Sequence, residues 1–229
     1  MDRRIVIVLA LAACLVGPAP GTAQTPAPNM APLSSVEQSF YVRASAILRH
    51  RYPNPDAAER AGYFRYTNED RTGAISYENP HYFNTPEVEH PQQLWFDVNG
   101  RLLGADFSQE VASFPDPTLF GLQKVRFHHI PLHVHYGLRN PDGTFRYGLF
   151  VTAADFRNAG LDPINPTAAD LVKLGKATSA AQVAFVFGLR ENWDAQMWVI
   201  PNPAGQFADA NPNVKPSATQ GGGSGETRT

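Results

Sequence analysis

Residues 94–107 read LWFDVNGRLLGADF, with one apolar run on each side of Asn99-Gly100. Asn-Gly between apolar runs favours a tight hairpin turn, because both residues tolerate a positive φ. The stretch therefore predicts two antiparallel strands. Apolar runs at residues 125–138 and 144–151 flank Asn-Pro-Asp-Gly at 140–143 and predict a second hairpin.

Helical patterns precede these hairpins. Ser34 and Glu37 have the spacing of a capping box, and apolar residues follow at helical spacing as far as His50. Asn54-Pro55 predicts a short second helix, with Asn as the cap and Pro in the first turn. The beginning of the domain is therefore predicted to be helical.

The later part of the chain combines one helix with further strands. The patterns predict a helix over residues 167–176 and strands over residues 182–189 and 197–200. The predicted fold class is α+β, a mainly antiparallel sheet of hairpins with N-terminal helices and one later helix packed on it.

Composition excludes several classes of function. The 229 residues include 19 Lys and Arg against 21 Asp and Glu, so no broad basic field favours binding to nucleic acid. The single Cys excludes an intramolecular disulfide and any site that needs several thiolates. No phosphate-binding glycine motif is present, and the composition leaves the oligomeric state open.

The N-terminus predicts export. Charged residues at 2–4 precede an apolar run over residues 5–16, which is too short to span a bilayer, and small residues follow up to Ala23. This pattern is typical of a secretory signal peptide, which predicts a periplasmic or secreted protein. A second interpretation stays open, because Leu-Ala-Ala-Cys at residues 11–14 resembles a bacterial lipobox and Cys14 would then carry a lipid anchor.

The pattern divides the chain into four parts. Residues 1–23 are the predicted signal peptide, and the Pro-, Ala- and Thr-rich residues 24–32 are a predicted disordered spacer. Residues 33–213 are predicted to form a single globular α+β domain, and the Gly-rich residues 214–229 a flexible tail. No segment of the mature chain is apolar for long enough to predict a transmembrane span.

Histidines are concentrated around the second predicted hairpin. If residues 127–138 form one strand, His133 and His135 lie on the same face with their Cβ atoms about 7 Å apart. His129 shares this face unless Pro131 shifts the phase of the strand. Two imidazoles at this spacing can bind one divalent transition metal, such as zinc, copper or iron.

A metal site needs a further ligand. His81 is the first choice, so the predicted metal ligands are His81, His133, His135 and His129. Weaker candidates are Glu89, His90, Asp106 and Asp209. The competing interpretation is that the histidines are solvated or hydrogen-bonded side chains on the polar face of a strand.

Two functional hypotheses follow, and neither assigns a catalytic residue. The first is an exported domain whose His-lined site binds a divalent transition metal and supports metal-assisted hydrolysis if one coordination position stays open. The alternative is a non-catalytic module that binds a small molecule or another envelope component, in keeping with the aromatic content and the low charge. A third possibility is assembly through exposed hairpin edges.

Four ordered motifs carry a resemblance to a known family. They are Ala61-Gly62-Tyr63, His81-Tyr82-Phe83-Asn84, the hairpin within residues 91–104, and residues 202–212, which read NPAGQFADANP. The set resembles an uncharacterised family of exported microbial proteins with Ala-Gly-Tyr, His-Tyr-x-Asn and C-terminal Asn-Pro-x-Gly-x-Phe-Ala-x-x-Asn-Pro elements.

The resemblance covers residues 61–213 and implies a globular domain outside the cytoplasm, without a known reaction. His81 falls on the His of the His-Tyr-x-Asn element. The family also has a late His before the final Trp, and this chain departs from the pattern with Gln196 at that place.

Overall fold

The computed structural model describes residues 31–85 and 87–217. The predicted signal peptide, most of the spacer and most of the tail lie outside the described residues. The α-helices in the described part of the chain are α1 (Ser35–Arg51), α2 (Pro55–Arg60), α3 (Ala153–Asn158) and α4 (Ala168–Lys173). The strands are β1 (Phe64–Arg65), β2 (Ile75–Glu78), β3 (Gln93–Phe96), β4 (Leu102–Glu110), β5 (His128–Ile130), β6 (His133–Arg139), β7 (Phe145–Thr152), β8 (Val183–Leu189) and β9 (Asn192–Trp198).

The strands form two sheets in which every pairing is antiparallel. The larger sheet has six strands in the order β1-β2-β3-β4-β9-β5, and the smaller has three in the order β7-β6-β8. The predicted α+β class, with a mainly antiparallel sheet of hairpins, is confirmed. Both predicted hairpins form, as β3–β4 and β6–β7.

Helix α1 covers one face of the six-stranded sheet. Its predicted capping box is present, since Ser34 and Glu37 exchange hydrogen bonds between backbone amides and side-chain oxygens. Phe40, Ala44 and Leu48 then bury one stripe of the helix against apolar side chains of β2, β3, β4 and β9. This contact is the larger hydrophobic core.

A second core lies on the far side of the three-stranded sheet. Val134, Tyr136 and Leu138 of β6 pack against Phe156 of α3 and Leu171 of α4. Helix α4 is the predicted later helix, and it begins at a Thr167–Asp170 capping box. Helix α3 was not among the predicted elements. It is a six-residue helix with Thr152 as its N-cap, too short to show helical periodicity in the sequence.

The prediction of one continuous strand over residues 127–138 is wrong. Strand β5 belongs to the six-stranded sheet and β6 to the three-stranded sheet, and the chain changes sheet at Pro131 and Leu132. Proline has no amide hydrogen to donate to a neighbouring strand, so the ladder is interrupted there. His129 and His133 therefore lie in different sheets.

The stretch of chain that pairs with this segment changes sheet at the matching position. Strands β8 and β9 pair with β6 and β5, so the two segments form a ribbon that runs through both sheets. Ile130 pairs with Asn192 on one side of the bend, and His133 pairs with Leu189 on the other. Strand β9 starts at Asn192, five residues before the predicted start at residue 197.

No helix within residues 31–85 and 87–217 is long and apolar enough to cross a membrane. This agrees with the prediction of no transmembrane span for that part of the chain.

A buried ion pair ties α1 to the segment that leads into β5. Arg126 Nε lies 2.9 Å from Glu37 Oε1, and both side chains are almost fully buried. Burial acts to raise the pKa of Glu37, but the hydrogen bonds from Arg126 and from the amides of Ser34 and Gln123 outweigh it and lower the pKa to about 2.

Loss of Arg126 is expected to destabilise the fold strongly. Arg126→Met leaves Glu37 buried without its cation, which costs about 3–5 kcal/mol in the free energy of unfolding. The control Arg101→Met removes an ion pair to Asp97 whose cation is exposed, and it costs about 1 kcal/mol or less. Urea denaturation at pH 7 measures both.

The difference between wild type and Arg126→Met should also depend on pH. The pKa of Glu37 in the folded protein lies below its ordinary value of 4.5, so its contribution is present above pH 4.5 and is lost as pH falls towards 2. Equal destabilisation by the two Met variants, or a pH-independent difference, would contradict this account of the pair.

Candidate functional site

The second face of the six-stranded sheet carries a stripe of buried polar side chains. Asp106 and Ser108 of β4 alternate with residues of the α1 core and so point away from the helix. Asp106 pairs with Gln196 of β9, and Ser108 pairs with Asp194. The four side chains therefore share one face, and the two carboxylates are diagonal neighbours across adjacent strands.

Each carboxylate accepts a hydrogen bond from a neighbouring side chain. Trp95 Nε1 donates to Asp106 Oδ2 at 2.8 Å, and Ser108 Oγ donates to Asp194 Oδ1 at 2.9 Å. The indole of Trp95 lies over Gly104, where a Cβ atom would come within 2.4 Å of the ring. Glycine at position 104 is thus required for Trp95 to take this position.

Strand β6 of the three-stranded sheet faces these polar side chains. His133 and His135 alternate with Val134 and Tyr136, which pack into the core against α3 and α4, so the histidines face the six-stranded sheet. The buried His135 ring meets Tyr66 edge-on, with ring centroids 5.0 Å apart.

Tyr66 also links this wall to the six-stranded sheet. Its hydroxyl donates to Gln93 Oε1 of β3 at 2.8 Å, and its ring makes an edge contact with Phe187 of β8 at 5.7 Å. The wall that carries His135 is thereby fixed against the polar face of the larger sheet.

The two histidines form a hydrogen-bonded pair. His133 Nε2 lies 2.8 Å from His135 Nε2, and His133 Nδ1 lies 2.7 Å from the carbonyl oxygen of Pro131. A carbonyl oxygen only accepts, so Nδ1 of His133 carries a proton and donates to it. One of the two Nε2 atoms carries the proton that they share.

A cavity of about 770 Å³ opens between the two sheets beside the bend. This volume is in the range of small-molecule sites. The polar wall, all of it buried, consists of Gln93, Asp106, Ser108, Asn192, Asp194 and Gln196. The apolar part of the lining consists of Ile130, Leu132, Phe150, Ile164 and Leu189, and His133 also lines the cavity.

Charges at the rim of the cavity are largely compensated. Arg190 Nη1 lies 2.9 Å from Glu110 Oε1, and His129 Nε2 lies 2.8 Å from Glu191 Oε1. All four side chains are at least partly exposed, so these ion pairs contribute little to stability. Arg157 is the further cationic side chain in the lining.

The structure brings together two of the four predicted metal ligands, His133 and His135. His81 lies exposed in a 3₁₀ helix, Pro80–Tyr82, away from the residues that line the cavity. His129 reaches the rim but pairs with Glu191. Within residues 31–85 and 87–217, no three His, Cys, Asp or Glu side chains form a group that could hold a metal ion.

Of the weaker candidates, Asp106 lies in the cavity wall. His90 stacks on Tyr82 and lies 2.6 Å from a carboxylate oxygen of Glu87, and Asp209 lies 3.3 Å from His128 Nε2. Sequence reasoning missed the polar residues of β9 because the predicted strand started at residue 197. The alternation of Asn192, Asp194 and Gln196 with larger or apolar residues was the signal that could have found them.

Gln196 lines the same cavity as His133. The His-x-His segment of this chain thus borders the space that the side chain at position 196 faces.

Comparisons with protein-family models, curated proteins and solved structures return no significant match to this chain. The resemblance to the exported family stays a prediction, and function has to be argued from the chemistry of the cavity.

The histidine tautomers are directly testable. We expect the ¹⁵N spectrum to show a proton on Nδ1 of His133, because this nitrogen donates to the carbonyl oxygen of Pro131. Long-range ¹H–¹⁵N correlation measures this, with the exposed His50 as an internal reference. A His133 ring with its proton on Nε2 alone would contradict the assignment.

Proposed function

We propose that the cavity between the two sheets is the binding site for a small molecule. The observation that carries the proposal is a volume of about 770 Å³ bordered on one side by buried polar side chains of both acid and amide type. Burying such groups is costly, and small-molecule sites typically combine a few placed polar groups with an apolar lining.

The predicted export signal would place this binding outside the cytoplasm, in a periplasmic, secreted or lipid-anchored protein. The proposal corresponds to the binding-module alternative from the sequence. It needs no third metal ligand and no catalytic residue.

Binding in the cavity should be blocked by filling its mouth. Ala154 and Ala169 are exposed alanines at equivalent positions in α3 and α4, and only Ala154 lines the cavity. A compound from a fragment library that binds the folded protein is expected to raise the Tm of wild type and Ala169→Trp but not of Ala154→Trp.

Differential scanning fluorimetry measures these shifts. A library in which no compound raises the Tm of wild type, or in which all hits act equally on both Trp variants, would refute binding in this cavity.

A divalent transition metal on His133 and His135 is the second candidate. It is favoured by the hydrogen bond from His133 Nδ1 to a carbonyl oxygen, because metal-bound histidines usually donate their other ring N–H in this way. Two nitrogens on one tetrahedral zinc lie about 3.3 Å apart given Zn–N distances of roughly 2.0 Å. The rings, now 2.8 Å apart at Nε2, would have to separate by about half an ångström.

Other ligands would then come from solvent, from a bound small molecule, or from His81 and His129 after a rearrangement. Metal-assisted hydrolysis rests on such an open coordination sphere.

The metal hypothesis has its own experiment. Untagged protein is equilibrated with zinc and analysed by mass spectrometry for bound metal. The hypothesis predicts that the wild type binds near-stoichiometric zinc and that the variant with both His133→Ala and His135→Ala loses it. The control variant His50→Ala, which changes a histidine at the end of α1, should still bind zinc. His81→Ala and His129→Ala report on the two remaining predicted ligands. A wild type that retains no zinc refutes the hypothesis.

A further inference from the structure

We propose that the ligand of the cavity is a hydroxylated organic acid, with its carboxylate on Arg157 at the mouth, its apolar body beside Phe150 and Ile164, and its hydroxyl group donating to Asn192. This inference rests on the proposed small-molecule function and specifies the class of ligand.

Arg157 lies on the face of α3 that borders the cavity. Phe156 of this helix is buried in the core that it shares with β6. Ala154 and Arg157 are three residues apart, so they lie on one face of the helix, and both are exposed and line the cavity. Arg157 therefore belongs to the solvent-facing mouth.

The guanidinium group of Arg157 is a cation that a ligand can use. It stays protonated at any pH in which the protein is folded. Arg190 is paired with Glu110, whereas Arg157 makes neither a hydrogen bond nor an ion pair with the part of the chain that the structure describes. A carboxylate binds such a planar group through two parallel charge-assisted hydrogen bonds. The mouth therefore favours an acid.

The aspartates of the cavity lie away from this position. Asp106 and Asp194 are 1% and 6% exposed, so they do not belong to the solvent-facing mouth. A ligand carboxylate that stays at Arg157 avoids direct contact with them. Its placement therefore does not depend on the protons that the aspartates and the histidine pair hold.

Asn192 points to a hydrogen-bond donor on the ligand. Its side chain is 1% exposed and lines the cavity, and its Nδ2 donates to the carbonyl oxygen of Arg190 at 2.7 Å, which fixes the other amide atom as the oxygen. This buried Oδ1 accepts no hydrogen bond from residues 31–85 and 87–217. Such an acceptor is costly unless a bound donor satisfies it, and a hydroxyl group supplies one donor.

The mouth also offers an apolar surface. Phe150 and Ile164 are 47% and 42% exposed, and both belong to the lining. The loop that carries Ile164 rests on β8 at Gly188, where a Cβ atom would come within 2.3 Å of the carbonyl oxygen of Pro163. Large apolar side chains exposed together at the edge of a cavity are typical of a ligand-binding surface.

Four probes of matched shape test the inference by isothermal titration calorimetry at pH 7.5: 3-(4-hydroxyphenyl)propionate, 3-(4-hydroxyphenyl)propan-1-ol, 3-phenylpropionate and 3-(4-methoxyphenyl)propionate. The hydroxy acid should bind about tenfold more tightly than the alcohol, which has no charge for Arg157. It should bind about fivefold more tightly than 3-phenylpropionate, which has no donor for Asn192. The methoxy acid cannot donate either and should bind no more tightly than 3-phenylpropionate.

The acid part of the proposal has a matched pair of variants. Arg157→Gln should lower the affinity for the hydroxy acid to that for the alcohol and leave the affinity for the alcohol unchanged. Arg146→Gln removes an exposed arginine of β7 that does not line the cavity, and it should change neither affinity.

The donor part is tested by Asn192→Ala. This variant should bind the hydroxy acid and 3-phenylpropionate equally, because the acceptor for the hydroxyl group is gone. The substitution also removes the hydrogen bond to the carbonyl oxygen of Arg190, so circular dichroism checks that the variant is folded. If it is not, the comparison of the hydroxy, methoxy and unsubstituted acids on wild type decides the donor part.

The outcomes separate the two levels of the proposal. Equal affinity for the hydroxy acid and the alcohol, equal affinity for the hydroxy acid and 3-phenylpropionate, or a preference for the acid that survives Arg157→Gln overturns the inference. If compounds of the fragment library bind in the cavity and the hydroxy acid does not, the inference also fails while the small-molecule function stands. If neither the library nor the hydroxy acid binds, both fail.

Discussion

The bend of one two-stranded ribbon organises the whole molecule. The segment through β5 and β6 changes sheet at Pro131 and Leu132, and its partner through β8 and β9 does so at Arg190 and Glu191. Without the bend, the ribbon would extend one sheet instead of joining both. With it, the His-bearing face of the smaller sheet turns towards the carboxylates of the larger one, and the cavity lies beside the bend.

Each sheet has its conventional hydrophobic core on the face that points away from the other sheet. The α1 core and the core of α3 and α4 account for the burial of most large aliphatic side chains. The faces that meet are instead polar on one side and His- and aromatic-rich on the other. A third buried cluster, formed by Ala74, Trp95, Leu103 and Trp198, adds to the apolar burial of the two outer cores.

Local patterns predicted most of the elements that form the cores. The capping box at Ser34, the helix that begins near residue 167 and the hairpin turns at Asn99-Gly100 and residues 140–143 depend on neighbours within a few residues, and all form. The candidate site was recovered only in part. His133 and His135 are two residues apart on one strand, so alternation alone places them together. Asp194 and Asn192 were missed, because their strand starts earlier than its apolar end suggests.

By itself the sequence determined the α+β class, the capped helices, the antiparallel hairpins and the shared face of His133 and His135. Those features follow from hydrogen bonding and side-chain alternation between residues close in the chain. Only the tertiary structure decided that residues 127–138 are divided between two sheets, that His129 is separated from His133, and that Asp106 and Asp194 border the same cavity as His133. These positions depend on pairings across 60 or more residues of chain, such as His128 with Asp194, whose register no local pattern encodes.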